Sequence, residues 1–327
     1  MAQVFDTLLL LALPASGKSE IRRYLENVSP QKCERDFHIG GAVQLDDFPY
    51  VHVMRRVDDE LVAMGQPRVF FRAPDCSFAN PFDWGTLVHL VNEDYDELVI
   101  GKVAEPRSPG QHLLQRLDRA AQAAGIEPRL SALGQDARYR LADVLEREAT
   151  AHLEERRRGL PGSLKGKTVV IEFARGGADG SAMPLKAPMG YQYTLSQLSD
   201  LILARAAILY VWVTPEESRR KNAARTDPDD PGSILHHGVP LEVMMRDYGC
   251  DDIDHLLSVS STPGALEVQV GQRTYTLPLV RFDNRVDKTS FLRDDPSNWA
   301  AGDVRALHDG LQGACQSAYA IYLSRRI

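Results

Sequence analysis

Leu11-Ala12-Leu13-Pro14-Ala15-Ser16-Gly17-Lys18-Ser19 is the stretch on which the fold of this chain turns. It follows an apolar run of strand length, residues 4–11, and leads into residues 20–25, where a helical pattern begins. A strand that stops abruptly, a loop whose backbone N–H groups turn inward, and a helix whose positive end faces the same point together form a site for phosphate oxygens. In the pattern G-x-x-x-x-G-K-[ST], Gly17 lets the backbone approach closely, Lys18 reaches the terminal phosphates and the Ser19 hydroxyl is placed for Mg²⁺. Ala12, Pro14, Ala15 and Ser16 complete the cradle. Ala12 stands where the pattern has glycine, so the opening turn must be one that tolerates a Cβ. A Gly-Lys-Ser that merely capped a surface helix would need neither the preceding strand nor this loop length.

At 327 residues the chain is long enough for one large α/β domain with insertions or for two smaller ones. A hydrophobic share of 43% with 25% charged residues is that of a soluble globular protein. Cys33, Cys76, Cys250 and Cys315 are scattered with no C-x-x-C pair, which argues against a zinc site or a disulfide framework and suits a reducing compartment. The apolar run 7–13 has no preceding positive charge and is too short to span a bilayer, so the expectation is a cytoplasmic protein with no membrane contact. A net charge of −7 disfavours an extended nucleic-acid-binding face.

Short apolar runs alternate with longer helical patterns, the signature of a mostly parallel sheet covered by helices. The predicted strands are 4–11, 42–45, 168–173, 208–213 and 279–282. Between the second and third lies an excursion with helical stretches at 51–64, 81–92, 109–124 and 137–158, too large for a loop. The expected organisation is a nucleotide-binding core made of residues 1–47 and 166–327, with a mainly helical inserted substrate subdomain at 48–165. Residues 266–270 and 273–277 alternate around Gly271-Gln272 and predict a small β-hairpin decorating the last strand. Thr214-Pro215-Glu216-Glu217 predicts a capped helix start after the fourth strand, and Thr194 with Gln197 predicts another, running to about residue 205.

Four segments together resemble the P-loop nucleoside and nucleotide kinase group: residues 11–19; Leu45-Asp46-Asp47-Phe48; Val169-Val170-Ile171-Glu172-Phe173-Ala174-Arg175; and Val213-Thr214-Pro215-Glu216-Glu217-Ser218-Arg219-Arg220 with Arg225. The loop is similar to that of small-molecule and polynucleotide kinases more than to that of motor or GTPase proteins. The resemblance covers the core, about half the chain, and not the insertion. It implies a P-loop NTPase-like open parallel sheet flanked by helices, with ATP and Mg²⁺ as cofactors. It also implies an acid at Asp46 or Asp47 facing the phosphate acceptor, and a lid over 215–235 carrying Arg219, Arg220 and Arg225. Asn284, with Asp283, falls where relatives of the group contact the base.

The chemistry of these residues fits that expectation. Phosphoryl transfer needs a carboxylate to accept a hydroxyl proton or to hold Mg²⁺-bound water, and little covalent help besides. Asp46 and Asp47 can supply it, Asp46 first; the alternative is a surface turn or helix cap before Pro49. Glu172 lies inside an apolar run, where a carboxylate is costly unless paired or near a cation. It either serves Mg²⁺ or the reacting groups, with Arg175 beyond it for an anionic substrate, or faces solvent from an edge strand. Arg219, Arg220 and Arg225 are either charge-neutralising lid residues or a solvated basic face. The basic cluster Arg156, Arg157, Arg158, Lys165 and Lys167 would be the contact for an oligonucleotide acceptor, but cations complementing a helix C-terminus explain it better. His236-His237 has no ligand partner at metal-binding spacing. The expected activity is transfer of the γ-phosphoryl group of ATP to a small-molecule, nucleoside- or nucleotide-like, or polynucleotide acceptor. ATP hydrolysis with Glu172 orienting water, and a non-catalytic nucleotide sensor, are the alternatives.

Overall fold

The computed structural model describes residues 3–225 and 238–325. Its centre is β1 (Thr7–Leu11), a Thr-Leu-Leu-Leu-Leu run buried at all five positions. Continuous apolar sequence of this kind suits a strand covered on both faces. β1 pairs in parallel with β3 (Lys167–Phe173) on one side and β4 (Ala206–Trp212) on the other. Outside these lie β2 (Gly41–Asp46), parallel to β3, and β6 (Arg273–Asp283), parallel to β4. β5 (Ala265–Val270) closes the far edge antiparallel to β6, giving the order β2-β3-β1-β4-β6-β5. The hairpin expected as a decoration is therefore continuous with the last parallel strand: its second arm and that strand are one eleven-residue segment. The alternative reading of Glu172, facing solvent from an edge strand, is overturned, because β3 lies between β2 and β1.

Side-chain alternation along β1 builds two cores. Leu8 and Leu10 join Ile21 and Tyr24 of α1 (Lys18–Glu26), Phe37 of α2 (Pro30–Phe37) and Leu311 on the long C-terminal helix. Leu9 and Leu11 face the opposite way, toward the layer that carries Val88, Tyr95, Leu195 and Ile202.

The excursion between β2 and β3 is helical, as predicted: α3 (Phe48–Ala63), α4 (Asp83–Ile100), α5 (Pro109–Ala123) and α6 (Gln135–Gly159). Its attachment was not legible in the sequence. α4 buries Trp84, Leu87 and Leu90 in a third core with α3, α5 and α6, and buries Val88, Val91 and Tyr95 against the sheet. One helix thus belongs to both layers. It also runs one turn or more past the predicted end at residue 92.

After β3 come α7 (Gly190–Ser196) and α8 (Asp200–Leu203), where a single helix from Thr194 was expected. Thr194 is inside α7, its hydroxyl donating to Gly190 O, and the true cap of the second helix is Ser199, whose side chain accepts from Ile202 N. The other predicted start holds: Thr214 Oγ1 accepts from Glu217 N at 3.2 Å, opening α9 (Pro215–Arg225). Further on lie α10 (Leu241–Asp247), α11 (Ile253–Val259) and α12 (Ala301–Ser324), the last packing Leu307 and Leu311 under the α1 face. Among the described residues no helix is long and apolar enough to cross a membrane.

Candidate functional site

The connection leaving β1 runs toward β2, and the one leaving β3 crosses back over β1 to β4, so the chain changes direction at the carboxyl ends of β1 and β3. Open α/β sheets leave a crevice at such a point. The loop 12–17 occupies it. Gly17 has φ 105°, in the left-handed region, and a Cβ there would meet Thr289 Oγ1 at 2.5 Å, so only glycine fits. Ala15 also has a positive φ, 56°, whereas Ala12 does not. The glycine missing at position 12 therefore costs the backbone nothing.

The loop is held from every side. Ser16 Oγ donates to Leu13 O at 2.6 Å, and the Ala12 carbonyl accepts from the Tyr191 hydroxyl at 2.9 Å. Lys18 Nζ lies 3.4 Å from both Ala12 O and Leu13 O. Ser218 of α9 donates to Pro14 O at 2.7 Å. Asn284, fully buried, donates to Ser16 O at 2.8 Å and sits 2.9 Å from Thr289 Oγ1. An amide so engaged braces the loop from behind, in place of the base contact expected for it.

Opposite the loop, register brings the acids together: Asp46 pairs with Glu172, and Leu10 with Glu172, across three adjacent strands. Glu172 is buried and its Oε2 accepts from Arg22 of α1 at 3.0 Å, with Asp46 Oδ2 at 3.9 Å from the same guanidinium. Asp46 Oδ1 accepts from Phe48 N at 2.8 Å. Burial, then the charges of Glu172 and Asp47, raise the Asp46 carboxyl to about 7, although 23% of its side chain remains accessible. Asp47 occupies the N-cap position of α3 without capping it, and instead pairs with Arg175 at 2.6 Å. Arg175, expected to be available for an anionic substrate, is 3% exposed, committed to Asp47 and stacked 4.8 Å over the Trp84 ring.

A cavity of about 350 Å³ opens between these two sets of residues and is bounded on its far side by α3, α4, α10 and the segment 71–78. Lys18, Ser19, Asp46, Asp47, Glu172 and Arg175 all line it. The far wall carries Phe71, Phe78, Trp84 and Tyr248. Segment 69–79 is a preformed strap: Asp58, fully buried, accepts from the backbone N–H groups of Val69, Phe70 and Phe71, and Ala79 N donates back to Phe70 O.

Of the lid arginines, Arg219 and Arg220 do not line the cavity. Arg219 pairs with Glu216 at 3.3 Å, and Arg220 pairs with Glu217 at 2.7 Å and with Asp287 at 3.6 Å. Lys221, almost fully buried, reaches Asp287 at 2.8 Å. With Ser218 tied to Pro14 and Asn222 exchanging two hydrogen bonds with Val239, the helix through residue 222 is anchored rather than loose. Arg225 ends α9, and the remainder of the expected lid, 226–235, together with His236-His237, lies outside the described residues. The basic cluster is at the opposite end of the sheet: Lys167 opens β3, while Arg156 near the end of α6 pairs with Asp94 at 2.5 Å and with Glu97. Helix-terminal ion pairing explains it.

Sequence reasoning missed Arg22, Thr289, Tyr191 and the aromatic wall. Only Arg22 had a signal, since it lies one turn beyond Lys18 on the helix face turned toward the strand ends. Comparison of the chain with protein-family models, with curated proteins and with solved structures finds no match.

Proposed function

We propose that this chain is a phosphotransferase that takes the γ-phosphoryl group of ATP at loop 12–19 and passes it to a hydroxyl held in the cavity beyond Asp46. One observation carries the proposal. A glycine-constrained loop with its lysine at the end of the central strand faces three carboxylates at the ends of β2 and β3 across a single cavity. Phosphate at such a loop would gain the α1 N-terminus and the backbone N–H groups.

The donor set fits Mg²⁺. Among the described residues no three His, Cys, Asp or Glu side chains are grouped to hold a metal unaided, and Mg²⁺ is ordinarily held by one or two protein oxygens together with substrate phosphates and water. Ser19 would hold it, with Glu172 acting through water because Arg22 already engages its Oε2. The ion supplies charge neutralisation on the phosphates.

The protein's own residues supply the rest. Asp46, with a carboxyl poised near neutral pH, accepts the acceptor's hydroxyl proton at Oδ2, since Oδ1 is occupied by the Phe48 N–H. As the acceptor oxygen bonds to the γ-phosphorus, the bond from that phosphorus to the β–γ bridging oxygen breaks, and ADP leaves with the electron pair. Lys18 offsets the charge that develops. Asp47 is held by Arg175 and positions the start of α3. Hydrolysis driven by Glu172 is the weaker reading, because that carboxylate is tied to Arg22 instead of facing the cavity unpaired.

The test is calorimetric titration of the full chain with β,γ-imido-ATP and Mg²⁺, followed by ADP release from ATP with and without hydroxyl acceptors. Binding with acceptor-stimulated release supports the proposal. Release that no acceptor alters supports hydrolysis, and absence of analogue binding removes the nucleotide altogether.

A further inference from the structure

The cavity is larger than the reacting groups require, and its far half has a definite chemical character. Its walls there are flat and apolar: Trp84 packs edge-on to Phe78 with ring centroids 5.0 Å apart and to Tyr248 at 5.8 Å, while Phe71 stacks on Phe78 at 4.6 Å. Set into this wall is a polar pair, Ser77 and Asp247, whose Oγ and Oδ2 atoms have no hydrogen-bond partner among the described residues beyond each other. Both residues are more than nine-tenths buried and both line the cavity. They are neighbours, the Ser77 hydroxyl drawing the burial-raised Asp247 carboxyl part of the way back down. Burial makes the Asp247 carboxylate costly to ionise with only a hydroxyl hydrogen-bonded to it, and a ligand in the cavity that bears a cationic donor offsets that cost.

The charges along the wall decide which group that is. Among the described residues, Arg55 is spent, its guanidinium lying 4.0 Å over the Phe71 ring and donating to Pro74 O and Cys76 O. Arg175 is paired with Asp47. Arg72 leans on Glu242 at 3.7 Å, and Arg246 of α10 is exposed. Against these stand Asp46, Asp47, Asp75 and Asp247 on the cavity itself. A phosphorylated or carboxylated acceptor would enter this half among carboxylates, with no uncommitted cation among the described residues there to receive it. An amine would meet the Asp247 carboxylate and the aromatic side chain of Tyr248, the Trp84 ring already carrying the Arg175 guanidinium.

Resting on the phosphotransferase reading, we infer that the acceptor is an alcohol carrying an amino group and a flat ring, its amine seated on Asp247 and Ser77, its ring against Trp84, and its hydroxyl directed toward Asp46. The charges of the described residues likewise disfavour a phosphate ester in this far half of the cavity.

Three compounds that share a phenyl ring and a benzylic hydroxyl and differ only in charge test this: 2-amino-1-phenylethanol, 1-phenyl-1,2-ethanediol and mandelate. Each is titrated into the full chain saturated with β,γ-imido-ATP and Mg²⁺. The amino alcohol is expected to bind about tenfold more tightly than mandelate, the size of one charged hydrogen bond, with the diol between. Asp247→Asn should shrink that preference to about twofold. Ser77→Ala, a milder change in the strap, should lower amine affinity severalfold without altering that of mandelate. Mandelate binding as well as the amine, no measurable binding by any of the three, or a preference unmoved in both variants overturns the assignment. The analogue's own affinity separates the two readings: its absence sinks the phosphotransferase proposal, whereas tight analogue binding with mandelate preferred sinks only the amino-alcohol acceptor.

Discussion

Arg175 and Asp47 form a buried ion pair at 2.6 Å that joins the ends of two adjacent strands, and the same guanidinium lies 4.8 Å over Trp84 at the start of α4. One side chain thus fixes the acid-bearing turn after β2, the loop after β3 and the first turn of the helix shared by the sheet and the insertion. Breaking a buried pair from one side leaves an uncompensated charge, which costs about 3–5 kcal/mol. Arg175→Met is therefore expected to destabilise the fold by about 3 kcal/mol in urea denaturation, and Asp47→Asn added to it should recover part of that loss. Strictly additive losses would show the two side chains to be uncoupled.

Lys18→Met should weaken binding of Mg²⁺ and β,γ-imido-ATP by tenfold or more, because an apolar chain of similar length offers no charge to the phosphates. Calorimetry on the folded variant is the measurement. Unchanged affinity would remove the phosphate loop from the account.

Positions 12 and 17 should behave oppositely, although both are small residues of one motif. Gly17→Ala places a Cβ 2.5 Å from Thr289 Oγ1 at a backbone φ of 105°, so analogue affinity should fall at least tenfold and stability by about 1–3 kcal/mol. Ala12→Gly, at a residue outside the left-handed region, should leave analogue affinity within about twofold. Equal effects at the two sites would contradict the loop geometry.

Asp46 makes a pH-dependent prediction with two signs. Its folded-state pKa of about 7 lies above the usual carboxylate value, so between roughly pH 4 and 7 the folded chain holds a proton that the unfolded chain has lost. Stability without nucleotide or Mg²⁺ should consequently fall as pH rises through that window. Asp46→Asn should abolish this loss and be more stable than the parent at pH 8, on the order of 2 kcal/mol. Turnover should move the other way, rising with pH as Asp46 ionises in the parent and dropping about a hundredfold in Asp46→Asn, with analogue affinity nearly intact. Thermal melts and initial rates at pH 5 and 8 check both signs. A variant no more stable at pH 8 would mean that Asp46 is not held in an unfavourable charged state.

Amide exchange on α9 checks the anchoring of the arginine-bearing helix. With Ser218 on Pro14 O and Lys221 on Asp287, residues 218–222 should exchange slowly before any ligand is added. Fast exchange there, slowed only by Mg²⁺ and β,γ-imido-ATP, would restore the mobile lid expected from the sequence.

The strands, the glycine loop, the helical excursion and the Thr214 cap were legible because each is written in neighbouring residues: an apolar run, a required φ, a 3.6-residue period, a hydroxyl three residues before an amide. The same local signals placed Asp46, Asp47 and Glu172 at strand ends. Strand order alone then turned Glu172 from a possible edge residue into an interior one, and register alone set it beside Asp46. Arg175 was read as reaching for a substrate because its partner Asp47 is 128 positions away in sequence. The pocket wall was invisible for the same reason: Phe71, Trp84 and Tyr248 come from three separate segments, and Ser77 and Asp247 are two ordinary polar residues until folding buries them side by side. Sequence by itself determined the chain's local geometry and the glycine-loop half of the candidate site, since short-range sterics and periodicity act without reference to the rest of the molecule. The raised Asp46 carboxyl, the spent arginines and the aromatic cavity were decided only by tertiary structure, because burial and charge pairing depend on which distant segments meet.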